Sequence, residues 1–83
     1  MNENVTAAQA GFTPKEESSL EGHGFHWVPS DKEWFNDSYP DGAKAVFKDG
    51  NEYVVRSFLH VDGEVKEEYE HFNHFADVLD YIF

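Results

Sequence analysis

The stretch AKAVFKDGNEYVVRSFLHVDGEVKEEYEHF, residues 43–72, decides the fold. Lys44, Val46, Tyr53, Val54, Val55, Phe58, Leu59 and Val61 are rich in β-branched and aromatic types, which suit a pleated surface. Asp49-Gly50 and Asp62-Gly63 interrupt the run. Asp-Gly between such segments is a strong hairpin signal, because Gly takes positive φ without a Cβ clash. A three-stranded antiparallel meander is therefore expected.

Two registers are open at Asp62-Gly63. A two-residue loop pairs Val61 with Glu64 and Leu59 with Lys66. A three-residue loop, with Gly63 as a left-handed bulge, pairs Leu59 with Val65, Val55 with Tyr69 and Arg56 with Glu68. The second is the expected register, since it gathers apolar side chains on one face and sets opposite charges across the other. Cross-strand pairs of these kinds contribute about 0.2–1 kcal/mol each. The same loop at Asp49-Gly50 extends one apolar face through Ala43, Ala45, Phe47, Tyr53, Val55, Leu59, Val65 and Tyr69.

On the C-terminal side, Asn73 is a candidate N-cap. Phe75, Val78, Leu79 and Ile82 follow at the spacing of one helical face, which predicts a helix to the end of the chain at Phe83. It is expected to lie across the apolar face of the meander. On the N-terminal side, Pro40-Asp41-Gly42 predicts a turn. Ser30-Asp31-Lys32-Glu33 has the form of a capping box, predicting a short helix from Asp31 to Asn36 that carries Trp34 and Phe35. Phe25 to Val28 reads as a short strand closed by Pro29. This segment, with Trp27, Trp34 and Phe35, is expected over the other sheet face. Residues 1–22 are polar, without a period of two or 3.6, and read as a disordered acidic tail. The expected architecture is thus α+β: residues 23–83 form a single small domain with a C-terminal α-helix and a short N-terminal strand and helix.

Composition narrows the function. The chain has 83 residues and no cysteine, so neither a disulfide nor a thiolate metal site is available. No apolar run approaches the roughly 20 residues of a membrane span, and the N-terminus lacks the pattern of a secretory signal. A soluble, cytoplasmic protein is expected. Seventeen acids against six bases give a net charge of −11. Phosphate neutralisation needs Lys and Arg, so direct binding to nucleic acid or to an anionic membrane is disfavoured. A basic protein partner is the natural complement.

Three sets of residues are candidates for function. Glu64, Glu67, Glu68 and Glu70 fall on the third strand of the meander, and Asp77 and Asp80 on the helix. Residues i and i+2 of a strand point the same way roughly 6.8 Å apart, so Glu68 and Glu70 present carboxylates near the spacing of phosphates on a nucleic-acid strand. Charges on an edge strand also block sheet-to-sheet association. Trp27, Trp34 and Phe35 are candidate aromatic anchors in an acidic rim. His23 and His26, and His71 and His74, are spaced three apart, a weak metal-binding pattern without cysteine. There is no Gly-rich phosphate loop or nucleophile elbow, so no enzyme is expected and no cofactor is implied.

In size and charge the chain is similar to phage-encoded inhibitors of host defence or transcription, and to immunity proteins of nuclease toxins. No motif carries that likeness. The expected function is a non-catalytic inhibitor, monomeric or homodimeric, that blocks a basic, nucleic-acid-binding surface of another protein as a DNA mimic does. The alternatives are a histidine-based metal-binding or pH-sensing module, and a structural accessory domain.

Overall fold

Both turns close as two-residue loops, Gly50-Asn51 at the first and Asp62-Gly63 at the second. Asp62 and Gly63 have φ of 52° and 80°, both positive, as a type I′ turn requires. Val61 then pairs with Glu64, Leu59 with Lys66, and Arg56 with Tyr69. At the first turn Asp49 pairs with Glu52 and Phe47 with Val54. The three-residue register expected from the sequence is thus not adopted. The twist of I′ and II′ turns matches that of the flanking strands, and this outweighs gathering every apolar residue on one face.

The computed structural model describes residues 5–40 and 42–82. Its elements are α1 (Pro14–Gly22), β1 (His26–Val28), β2 (Glu33–Tyr39), β3 (Gly42–Asp49), β4 (Glu52–Val61), β5 (Glu64–Phe72) and α2 (Phe75–Ile82). The strands form one antiparallel sheet of five, in the order β1-β2-β3-β4-β5. The architecture is α+β as expected, with five strands where three were expected. The start of the expected tail before Val5, the Asp41 position of the expected turn and the end of the helix at Phe83 lie outside the described residues.

Of the two further strands, β1 is the short strand expected before Pro29, and β2 comes from the segment read as a short helix. Val28 and Glu33 pair across a four-residue turn, where the amides of Asp31 and Lys32 both donate to the Val28 carbonyl. The Ser30–Glu33 pattern therefore serves a β-turn, and Trp34 and Phe35 are strand residues pointing to opposite faces. Trp34 pairs with Trp27 on one side and Val46 on the other, which places all three on one face.

That face is the core. It carries Trp34, Val46, Tyr53 and Val55, and both ends of the chain fold onto it. From α2 come Val78 and Ile82, with Phe75 and Leu79 packed beside them, as the helical spacing predicted. The other cover is the segment expected to be disordered. Phe12 is 3% exposed and Leu20 fully buried, so from Val5 onward the N-terminal stretch is part of the core. Thr13 caps α1: its hydroxyl accepts from the Glu16 amide at 3.2 Å, and the Glu16 carboxylate accepts from the Thr13 amide at 3.0 Å. Pro14 occupies the first turn, where its missing N–H costs nothing.

Polar ends of aromatic side chains tie the covers down. The Trp27 indole donates to the Val5 carbonyl at 2.7 Å, and the Tyr39 hydroxyl to the Ile82 carbonyl at 2.9 Å. The Tyr53 hydroxyl donates to the Glu16 carboxylate. Burial and that carboxylate push the Tyr53 phenol up to about 12.

The β3–β4 pairing fixes one position sterically. A Cβ on Gly42 would lie 1.8 Å from the Phe58 carbonyl oxygen, a backbone atom that no side-chain rotation can move aside. Gly42→Ala is expected to lower stability by about 3 kcal/mol or to block folding. Urea denaturation measures the loss; a variant as stable as the parent would show that the β3–β4 approach is looser than described.

Candidate partner-binding site

The covered face leaves its opposite open. Strand alternation in the observed register puts Phe35, Ala45, Phe47, Val54, Arg56, Phe58, Val65 and Tyr69 on that second face. The two helices lie over the other face. Phe35, Phe47 and Phe58 are only half-buried, and Val65 and Tyr69 are 58% and 51% exposed. The expected single apolar face is therefore divided: Ala43, Ala45, Phe47, Val65 and Tyr69 lie on the open side, while Tyr53, Val55 and Leu59 lie on the helix side.

An ion pair crosses the middle of the open face. Arg56 on β4 reaches over β3 to Glu33 on β2, with Nη2 to Oε1 at 3.1 Å. The strand between them carries the small, fully buried Ala45, which leaves room for the guanidinium. Arg56 also lies over the Phe58 ring, 4.8 Å from its centroid, and Phe58 meets Phe35 edge-on at 6.5 Å. Glu33 is only 6% exposed. Its pKa is raised, mainly by burial, with the nearby Asp31 charge adding to the rise and Arg56 opposing it. The pair, its stacked ring and the flanking aromatics give the centre of the face a fixed shape.

One edge of this face is β5. Every residue from Glu64 to His71 is exposed. In an antiparallel ladder, inward- and outward-facing backbone groups alternate. A two-residue loop makes Val61–Glu64 the first hydrogen-bonded pair, so the N–H and C=O groups of Val65, Glu67, Tyr69 and His71 face the free edge. The same residues put their side chains on the open face.

The residues singled out in the sequence fall into separate places. Glu67 lies on the open face, whereas Glu64, Glu68 and Glu70 point to the side on which α2 packs; all four are exposed. Asp77 and Asp80 are exposed on α2. Phe35 belongs to the open face. Trp34 is 2% exposed and lies in the core, and Trp27 is half-buried beside it with ring centroids 5.6 Å apart, so neither covers the second sheet face as expected. The Trp indoles are held under α1 because their strand positions point that way.

The histidines are dispersed. His26 lies on β1, edge-on to Phe35 at 5.9 Å, and His71 on β5 at the far side of the sheet, 3.6 Å from the Glu52 carboxylate. His23 follows α1, with its Nδ1 2.6 Å from the Ser19 carbonyl, and His74 precedes α2. Among the described residues no group of three His, Cys, Asp or Glu stands close enough to hold a metal ion. No helix among them is long and apolar enough to cross a membrane.

Sequence reasoning missed Val65, Tyr69, Phe58 and the Arg56–Glu33 pair as surface features. The signal was the parity of the strands: with two-residue loops, these positions alternate away from Val46, Tyr53 and Val55.

The class defined by this geometry is a five-stranded antiparallel meander with both terminal helices on one face and the other face open. No protein-family model, curated protein or solved structure matches the chain.

The ion pair has a measurable consequence. Arg56→Ala leaves the Glu33 carboxylate buried without its cation and is expected to cost about 2–3 kcal/mol near neutral pH. A raised native pKa means that the folded state holds the proton more tightly than the unfolded chain. The Glu33 contribution is therefore most favourable below the unfolded carboxylate range and is lost as pH rises through the native value. Denaturation at about pH 4 and about pH 7 should show the smaller cost at the lower pH. An equal cost at both would mean that Glu33 is not the group left stranded.

Proposed function

We propose that this chain is a non-catalytic, acidic protein-binding module, and that it inhibits a basic partner by occluding a nucleic-acid-binding surface. The observation that carries this reading is β5: a nine-residue edge strand, exposed from Glu64 to His71, that joins carboxylates to a free backbone edge. A strand edge with unpaired N–H and C=O groups accepts an extended partner segment by strand addition, with side chains giving specificity. Tyr69 and Val65 are the exposed apolar side chains on the same strand, and Phe35 and Phe58 continue the surface inward.

Charge selects the partner. With a net charge of −11, the molecule attracts basic surfaces and repels nucleic acid and anionic lipid. Glu68 and Glu70, on one side of β5, repeat at roughly the phosphate spacing of a nucleic-acid strand. Glu67 and Tyr69 present a charge and a ring on the other side. Pairing of β5 with β5 of a second copy would set this acidic strand against itself, which favours a basic partner over self-association. In this reading the protein acts in the cytoplasm, as a monomer, without a cofactor.

The test is a pull-down from bacterial lysate at low and high salt, using the parent chain and the triple variant Glu67→Lys, Glu68→Lys, Glu70→Lys. The expected result is a nucleic-acid-handling protein held by the parent chain, released by salt, lost with the triple variant, and blocked from its nucleic acid when bound. Tyr69→Ala is expected to weaken the same complex by about 1–2 kcal/mol through slower-forming or faster-breaking apolar contact. Binding indifferent to salt and to charge reversal would refute electrostatic mimicry.

A further inference from the structure

At the β1 edge of the sheet, the opposite edge from β5, lies a pocket of about 590 Å³. Its size falls in the range of small-molecule sites. Phe25, His26, Trp27 and Trp34 line it with rings, and Glu17 and Glu21 of α1 line it with carboxylates. Glu17 and Glu21 are four apart, so they stand on one face of the helix. Among the described residues no Lys or Arg lines the pocket. Neither carboxylate has an ion-pair partner among them.

Three of the protein's six Lys and Arg residues are engaged elsewhere on rings or carboxylates. Lys44 lies over Tyr39 and Tyr81, Lys48 over Tyr53, and Arg56 on Glu33. The β1 pocket combines the same two components, ring and carboxylate, without a cation of its own. A second observation points to an occupant with an oxygen atom. The Trp34 indole N–H is buried and has no hydrogen-bond partner, on a residue that is 2% exposed and lines the pocket. A buried donor without an acceptor is costly; the N–H itself is covered, so a ligand acceptor would satisfy it through a shift of the pocket wall on binding.

We propose that this pocket binds an organic ammonium ion carrying a nearby hydrogen-bond acceptor. The rings attract the cation through their negative faces, an interaction strengthened by desolvation. Glu17 and Glu21 supply the counter-charge, and the Trp34 N–H donates to the acceptor. The site is independent of β5 and of the partner reading.

Trp27 and Trp34 are the chain's two tryptophans and both line the pocket, so tryptophan fluorescence reports on it. The probe is choline, compared with its neutral isostere 3,3-dimethylbutan-1-ol, which has the same shape and hydroxyl without the charge. Saturable quenching by choline is expected, with the isostere at least about tenfold weaker. Glu17→Gln/Glu21→Gln, at a half-buried and an exposed position of α1, should weaken choline about tenfold and leave the isostere unchanged. Circular dichroism confirms that the double variant keeps its fold; should it not, each single variant is expected to show a smaller loss in the same direction. A third arm, Nα-acetyl-lysine amide, distinguishes the source: tighter binding than choline assigns the site to a protein side chain, weaker binding to a free small cation. No saturation up to roughly 10 mM choline, or equal binding of choline and its isostere, would overturn the proposal.

Discussion

The constraint on which the structure depends is the length of its two hairpin loops, Gly50-Asn51 and Asp62-Gly63. Two residues at each turn set the phase of β3, β4 and β5 together, and one residue more would exchange the faces of a whole strand. In the observed phase both faces of β4 are apolar: Tyr53 and Val55 on one, Val54 and Phe58 on the other. A sheet of this kind needs cover on at least one side. The chain supplies it twice to the same side, with α2 from its C-terminus and α1 from its N-terminus. The second side stays open, and its exposure follows from the turns.

Covering only one face places demands on what remains inside it. Phe12 fills the space between Trp27, Trp34 and Tyr53, with centroid distances of 5.9, 6.3 and 6.2 Å. A small domain gains much of its burial from such rings. Several buried polar groups are answered locally. Asn36 donates to the His23 carbonyl and accepts from the Ser38 amide, and Lys44 donates to Ser57. On the open side Arg56 Nη2 donates to Glu33, which sets an ion pair at the centre of that face.

Much of this was legible in the sequence, and the failures have physical causes. β1, the strands of the meander and the buried face of α2 are local patterns, and each formed where its pattern lay. β2 did not read as a strand because Trp34 and Phe35 are both apolar and Glu33 is charged; alternation fails when both faces bury side chains and a carboxylate has a distant cation. α1 was hidden by its weak amphipathicity, with Leu20 its one fully buried residue. The Thr13-Pro14-x-Glu16 cap was present in the sequence and marks its start. The candidate site was half legible. The acids of β5 are exposed and Phe35 lies on the open face, whereas Trp34 and Trp27 face inward because β2 is a strand paired with β1 and β3, and the two-residue phase leaves Tyr69 and Val65 outward.

The central claim is that phase, and nuclear Overhauser contacts between backbone protons of β4 and β5 test it most directly. The account predicts close Cα–H contacts from Arg56 to Tyr69 and from Phe58 to Glu67, the non-hydrogen-bonded pairs of the two-residue register. Contacts from Arg56 to Glu68 and from Leu59 to Val65 would contradict it. They would return Val65 and Tyr69 to the side of Val55 and remove the open face from which the proposed function is argued.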